Sequence, residues 1–264
     1  MSAPSRLRPA DALAVAAGAI TVGSMIATPL LPRGGRGRRR LTTAVVAGLA
    51  GTTAAHLTRR WGGGRTVATA AVVTGATAAI ERVGTRTGLP FGRYSYTGAL
   101  RPEIAGVPVI VPLAWFAMAP AARETAHGAL GARSSAPTRT VLGAAALTAW
   151  DLFLDPQMVG EGYWRWTRAG RYRGIPVSNY LGWLCTGIVL MAALERLVPV
   201  TDRGADESGV ATGSDGALTV QYAYMAVMET IGFARFFGDR LVAAVGGAAM
   251  LPIAAASLVR GRRG

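Results

Sequence analysis

The stretch WDLFLDPQMVGEGYWRWTRAGRYRGIPVSNYLGW, residues 150–183, is the part of this sequence around which the rest is organised. It closes one long apolar run at Asp155 and opens the next at Ser178, with acids, aromatic rings and arginines in between. Asp151 and Asp155 are four residues apart, which places both carboxyls on one face of a helix, one turn from each other. Pro156 follows directly, and proline removes a backbone hydrogen bond, so we expect the helix to end there.

Outside this stretch the chain is dominated by apolar runs of about 18 to 22 residues, the length that crosses a bilayer core as a helix. Of the 264 residues, 51% are hydrophobic. We therefore predict an all-α protein, a polytopic membrane bundle of about seven to eight transmembrane helices. Residues 1–264 are predicted to form one integral membrane domain. The predicted spans are 10–31, 41–58, 66–83, 107–122, 140–155, 178–198, 219–237 and 241–259, with a flexible loop at 201–218.

The charge pattern agrees with a membrane protein. All 28 basic residues are arginines and the net charge is +14, which would also suit a nucleic-acid-binding protein. The arginines lie at the ends of the apolar runs, however, where they orient a protein in the bilayer and bind lipid phosphates. We therefore expect membrane lipid and no nucleic acid as a partner, and a multi-pass location in the cell membrane. The lone Cys185 excludes an internal disulfide framework and a zinc site with several thiolates. No pattern predicts an oligomeric state.

The aromatic residues indicate where a site lies. Of the 19 Phe, Trp and Tyr residues, 13 fall between Phe91 and Trp183. An interfacial aromatic belt is the ordinary explanation in a membrane protein. A belt would serve both ends of every span, yet the first two apolar runs contain no aromatic residue. A cavity lined by the central spans therefore explains the clustering better. Acids and amides near such a cavity are costly to place in a membrane bundle without a use.

Four ordered motifs that follow Glu81 in the sequence support a more specific interpretation. After Glu81 come GLPFGRYSYTG (88–98), GVPVIVPLAWF (106–116), WDLFLDPQM (150–158) and YRGIPVSNYLGW (172–183). Together they resemble the carotenoid biosynthesis family of membrane carotenoid 1,2-hydratases. The resemblance implies addition of water across the terminal C1=C2 double bond of an acyclic carotenoid end, giving a tertiary alcohol. The implied substrate is a lycopene-like or C50 acyclic end, with water as the second reactant. No metal and no redox cofactor is implied.

The acids of the sequence suit this reaction. Hydration at the more substituted carbon begins with a proton delivered to the less substituted one, which leaves a tertiary cation for water to capture. The acid must hold a proton at neutral pH, and burial in an apolar site does this because desolvation raises the pKa of a carboxyl. A second carboxyl one turn away also raises this pKa, because both groups cannot easily be charged at once. We expect Asp155 to be the proton donor and Asp151 its partner, with Glu81 as a third candidate.

Aromatic and amide side chains are candidates for holding the substrate. Aromatic faces stabilise a nearby cation by about 0.5 to 2 kcal/mol each, and hydroxyl or amide groups position water or tune the acid. We expect Trp115, Trp164 and Trp166 to face the cation. Tyr94, Tyr96 and the amide of Asn179 are expected to hold water. The predicted substrate-binding residues are Trp115, Trp164, Trp166, Tyr94, Tyr96, Asn179 and Phe91.

Structural roles remain open for the same acids. Asp151 and Asp155 at a helix end are also suited to pairing with the arginines of the following loop, as a latch. Glu81 beside Arg82 is suited to an interfacial ion pair. Glu229 lies within the seventh apolar run, where an acid is rare enough to suggest function, although an arginine partner elsewhere explains it equally well.

Other functions also remain open. A membrane prenyltransferase needs two aspartate-rich clusters to hold magnesium against a diphosphate, whereas D-x-x-x-D occurs once, at 151–155. A carotenoid cyclase would share the protonation step but would capture the cation with an internal alkene, so that the mass of the product separates it from a hydratase. A carotenoid-binding scaffold or a transporter is the non-enzymatic alternative, and the missing inverted repeat argues against the transporter.

Overall fold

The computed structural model describes residues 8–200 and 216–261 of the chain. Within these residues it is a bundle of eight α-helices, which confirms the predicted all-α class. The helices are α1 (Pro9–Ala27), α2 (Arg36–Trp61), α3 (Gly63–Thr87), α4 (Ile110–Leu130), α5 (Ala136–Gly160), α6 (Val177–Leu197), α7 (Gly216–Ile231) and α8 (Arg240–Gly261). A short π-helix, Gly232–Phe236, continues α7.

Three helical segments of the described chain are long and apolar enough to cross a membrane: Pro9–Leu30, Val177–Leu197 and Arg240–Arg260. They expose large apolar side chains such as Val15, Val189 and Val259, which suits a lipid-facing surface. The other five helices contain more polar and small residues, and their crossing of the membrane stays a prediction.

Helix α4 lies at the centre of the bundle, where it packs against α2, α3, α5, α7 and α8. All residues from 114 to 126 are buried. Alanine makes up half of this segment, and small side chains allow neighbouring helices to approach closely. The centre of the core is thus a helix whose own sequence contains both the buried Trp115 and a charged pair.

That charged pair explains why α4 continues past its predicted end at 122. Arg123 donates to Glu195 at 2.8 Å through Nε and to Glu124 at 2.9 Å through Nη1. Arg139 binds the same Glu195 at 2.6 Å, and Arg60 binds Glu124 at 3.0 Å. A buried charge is tolerated when it is paired and hydrogen-bonded. The network joins α2, α4, α5 and α6 at the end of the bundle opposite to Asp155.

The prediction that the fifth helix ends at Pro156 is wrong, because α5 runs through it to Gly160. Proline lacks the N–H that would bind the carbonyl of Leu152. In this protein the hydroxyl of Tyr172 donates to that carbonyl instead, at 3.0 Å. The hydroxyl of this loop residue therefore compensates the carbonyl that the proline leaves without a backbone donor.

The loop regions contain two short antiparallel ribbons that the sequence interpretation did not include. β1 (Tyr94–Tyr96) pairs with β4 (Trp164–Trp166), and β2 (Glu103–Ile104) pairs with β3 (Val107–Pro108). The predicted loop at 201–218 lies mostly outside the described residues. Its last three residues, 216–218, form the first turn of α7 instead of a loop.

Candidate active site

Two buried aspartates on α5 share one amide group. Asp151 is completely buried and Asp155 is 3% exposed. Asn179, in the first turn of α6, donates from Nδ2 to Asp151 Oδ2 at 2.7 Å and also to Asp155 Oδ2. One side chain can reach both carboxyls because they lie on the same face of the helix, as their spacing predicts. The amide also links α6 to α5 at the site.

The two aspartates have different surroundings. Asp155 lines a cavity and accepts a second hydrogen bond at Oδ1, from Trp164 Nε1 at 3.1 Å. Asp151 lies behind it, and its Oδ1 has no hydrogen-bond partner among residues 8–200 and 216–261. In that same part of the chain, no arginine forms an ion pair with either aspartate. The described contacts therefore do not form the predicted alternative, a latch to the arginines of the loop.

Glu81, near the end of α3, is held by three donors. The hydroxyls of Tyr94 and Tyr96 both donate to its Oε2, the latter at 2.6 Å, and Trp115 Nε1 donates to its Oε1 at 3.3 Å. The side chain is 5% exposed. Hydrogen bonds of this kind replace the lost hydration of a buried carboxyl. Glu81 is thus bound by aromatic side chains, and the ion pair with Arg82 is not its role here.

The two tyrosines act as donors because they retain their protons. Burial, followed by the charge of Glu81, raises the pKa of Tyr96 well above its ordinary value. The same two causes, in the same order, raise the pKa of Tyr94. Desolvation and a nearby negative charge both disfavour the phenolate form. The hydroxyls therefore remain protonated near neutral pH and are available as donors to Glu81.

The ribbon formed by β1 and β4 turns four aromatic rings toward this site. Side chains alternate along a strand, so Tyr94 and Tyr96 point inward on β1, as Trp164 and Trp166 do on β4. The ring centroids of Tyr94 and Trp166 are 5.1 Å apart, and those of Tyr96 and Trp164 are 5.8 Å apart. Pairing of the strands thus brings together two motifs that are far apart in the sequence.

These groups surround a cavity of about 60 Å³, which is large enough for water. Its polar lining comes mainly from Asp155, Glu81 and Asn179, and the rest is aromatic or aliphatic. Trp115 forms part of the wall and is stacked on Trp183, with centroids 3.8 Å apart and an interplanar angle of 16°. Of the predicted site residues, all but Asp151 line the cavity: Asp155, Glu81, Trp115, Tyr94, Tyr96, Trp164, Trp166, Asn179 and Phe91.

The structure adds wall residues that the sequence interpretation did not select. Trp183 closes the last of the family-like motifs, so its position there was an available signal. Leu154 and Met158 lie near Asp155 on α5, so the helical repeat could have identified them as wall residues once Asp155 was chosen. Thr42 and Val46 come from α2, and no sequence pattern indicated them.

A glycine allows the loop before β1 to reach the site. A side chain at Gly182 on α6 would collide with the ring of Phe91 and the backbone of Pro90. The missing Cβ lets this loop lie directly against α6. Phe91 is consequently buried and takes its place in the cavity wall.

Comparison with known proteins gives two findings. The model of a family described as carotenoid biosynthesis protein matches residues 42–253. The chain is also similar to a bisanhydrobacterioruberin hydratase from Haloarcula japonica, with 35% identity over 133 residues. That match spans 50% of this chain and 43% of the relative, so less than half of the curated relative's length is covered. No solved structure matches the chain.

Proposed function

Since this chain belongs to the carotenoid biosynthesis protein family, we propose that it is a carotenoid hydratase. In this proposal, it adds water across the terminal C1=C2 double bond of an acyclic carotenoid end and needs no cofactor. The similar hydratase supports this reaction class. The observation that carries the proposal is Asp155, a buried carboxyl on the wall of an aromatic cavity, backed by a second carboxyl through a shared amide.

The first step transfers a proton from Asp155 to C2 of the alkene. Two carboxyls this close in a buried site do not both ionise readily, since their charges repel each other. One of them therefore keeps a proton, and Asp155 is the one that faces the cavity. The alkene π electrons form the new C–H bond, and the positive charge is left on the tertiary carbon C1.

The rings of the cavity stabilise that cation. Trp115, Trp164 and Trp166 present π faces or edges within the same wall, and a favourable ring face contributes about 0.5 to 2 kcal/mol. The Glu81 carboxyl, which lies in the same wall, adds an attractive charge when it is ionised. Closure of the site by aromatic side chains also excludes bulk water, which strengthens these interactions.

Water captures the cation in the second step. Its oxygen forms the bond to C1, and the proton it loses returns to the Asp155 carboxylate, so that the enzyme is restored and the net change is addition of one water. Tyr94 and Tyr96, which are held by Glu81, and the amide of Asn179 border the space in which this water would lie. Their role is to position it.

The substrate is expected to be a lycopene-like or C50 acyclic carotenoid that enters from the bilayer. The three helices that are able to span and the arginine pattern support the proposal of a multi-pass location in the cell membrane, as a single integral domain. Membrane lipid then surrounds the bundle, and the apolar substrate reaches the cavity without crossing water.

The test is expression in a host that produces an acyclic carotenoid, followed by mass spectrometry of the extracted pigments. A hydratase adds the mass of one water for each reacted end, whereas a cyclase leaves the mass unchanged. Protein with Asp11→Asn serves as a control, because Asp11 is a partly exposed residue paired with Arg59. Pigments identical to those of the empty vector, with the protein present in the membrane and a suitable substrate supplied, would refute the proposal.

A further inference from the structure

A second cavity borders the candidate active site. It has a volume of about 190 Å³ and shares four wall residues with the first: Thr42, Val46, Leu154 and Met158. Its remaining walls are mainly apolar, and flexible methionines such as Met25, Met225 and Met228 contribute to them. Methionine adapts its shape to irregular apolar ligands.

One acid lines this cavity, and its burial is not explained by the described contacts. Glu229, on α7, is 6% exposed. Among residues 8–200 and 216–261, no side chain or backbone group forms a hydrogen bond or an ion pair with its carboxyl. By contrast, buried Glu81 and half-buried Glu195 are bound by several donors each. Burying a carboxyl without a partner is costly, and acids retained inside a membrane bundle are commonly functional.

We propose that the Glu229 cavity is a binding site for a hydroxyl group carried on an apolar chain. The Glu229 carboxyl forms the hydrogen bond to the hydroxyl, and the methionines enclose the chain. The inference rests on the proposed function for the identity of that chain, since hydration produces a tertiary alcohol. Leu154 and Met158 line both cavities, so the alcohol formed at Asp155 would have only these side chains to pass on its way to Glu229.

The experiment measures binding without turnover. Retinol, a polyene alcohol, and axerophthene, the hydrocarbon lacking its hydroxyl, are titrated into the purified protein in detergent, and quenching of tryptophan fluorescence is followed. Trp150 lies in the wall of this cavity. Other tryptophans line the Asp155 cavity, so variants are needed to assign the quenching to one of the two cavities. The wild type is expected to bind the alcohol about tenfold more tightly than the hydrocarbon, as expected for one hydrogen bond in an apolar site.

Variants assign that preference to the carboxyl. Glu229→Met should abolish the preference for the alcohol while the hydrocarbon still binds, and Glu229→Gln should retain most of it, because an amide also forms hydrogen bonds. Ile231→Val is the matched control, since it changes the same wall without removing a polar group, and it should keep the preference. An unchanged preference in Glu229→Met, or its loss in Asp155→Asn alone, would overturn the proposal.

A blocking variant keeps the test decisive if Glu229→Met does not fold. Ile26 lines the cavity from α1 and is 57% exposed, so a larger side chain is tolerated there. Ile26→Phe, which fills space in the cavity without adding a tryptophan to the fluorescence signal, should abolish saturable binding of both ligands, and undiminished binding would show that they occupy another place. If Glu229→Met loses the preference for the alcohol but the protein still hydrates carotenoid, the Glu229 site is supported and the hydratase proposal is unaffected. If the alcohol binds in a way that depends on Glu229 but no hydrated pigment is ever formed, the hydratase proposal is refuted and the hydroxyl-binding site at Glu229 is still supported.

Discussion

Replacing Asp155 with asparagine directly tests its proposed role as the proton donor. The change keeps the size of the side chain but removes the acidic proton, and general acid catalysis contributes about 100- to 10,000-fold to rate. We therefore expect hydration by Asp155→Asn to fall by at least about 100-fold. The rate is measured with purified protein in detergent, with an acyclic carotenoid and quantified hydrated product, and in whole cells by pigment mass spectrometry.

The structure also gives the expected cost to stability. Each oxygen of Asp155 accepts a hydrogen bond, one from Trp164 and one from Asn179. Asparagine offers one oxygen and one NH₂ group, so one of these donors loses its acceptor and the loss is about 1–3 kcal/mol. For a chain of this size that corresponds to a fall in Tm of about 2–4 °C per kcal/mol. A folded but inactive variant is therefore expected, and its Tm separates loss of chemistry from loss of structure.

Asp151→Asn is the matched control for this prediction. The Oδ1 atom of Asp151 has no hydrogen-bond partner among the described residues, so an NH₂ group fits there without opposing a donor. We expect this variant to be nearly as stable as the wild type and to lose much less activity than Asp155→Asn. Near wild-type hydration by Asp155→Asn would refute the assignment. An equal loss in both variants would show that Asp155 cannot act without the second carboxyl, contrary to the smaller loss expected here for Asp151→Asn.

Three further substitutions probe the surroundings. Glu81→Gln should slow hydration by about tenfold or more, because the hydrogen bonds of Glu81 position the site, and an unchanged kcat would contradict this role. Tyr172→Phe should lower the free energy of unfolding by about 1 kcal/mol through loss of the bond to the Leu152 carbonyl, with activity retained; an unchanged Tm would argue against the compensation. Arg123→Met should destabilise the bundle by about 1–3 kcal/mol, since Glu195 and Glu124 each lose a buried donor but keep Arg139 and Arg60 as partners, and rescue by Arg123→Lys would show that charge alone suffices. Thermal unfolding in detergent measures both stability effects.

Much of the site could be predicted from short-range patterns. The four-residue spacing of Asp151 and Asp155 specifies one helix face in any α-helix, and the structure bridges the two with a single amide. The concentration of aromatic residues after Phe91 indicated a lined cavity, and the predicted aromatic residues lie in its wall. Glu81 was identified as a candidate, but its donors could not be inferred, because they depend on how the loop after α3 folds back.

The prediction that the fifth helix ends at Pro156 failed because it considered neighbouring residues alone. Helix propensity reflects the backbone hydrogen bond that proline removes. It contains no information on a hydroxyl that another part of the chain places beside the freed carbonyl. Tyr172 is distant in sequence from Leu152 and reaches its carbonyl only in the folded protein. The charged pair that extends α4 is a similar case, since Arg123 and Glu124 are tolerated in the core through partners on other helices.

By itself, the sequence determined the helical class, the positions of the long apolar runs and the residue types of the candidate site. These follow from composition and from periodicity along one helix, which are properties of neighbouring residues. Tertiary structure alone decided which carboxyl faces the cavity, which donors hold Glu81, and that Glu229 lies in a second cavity beside the first. Those features depend on distances between residues far apart in the chain, and only the packing of the helices sets such distances.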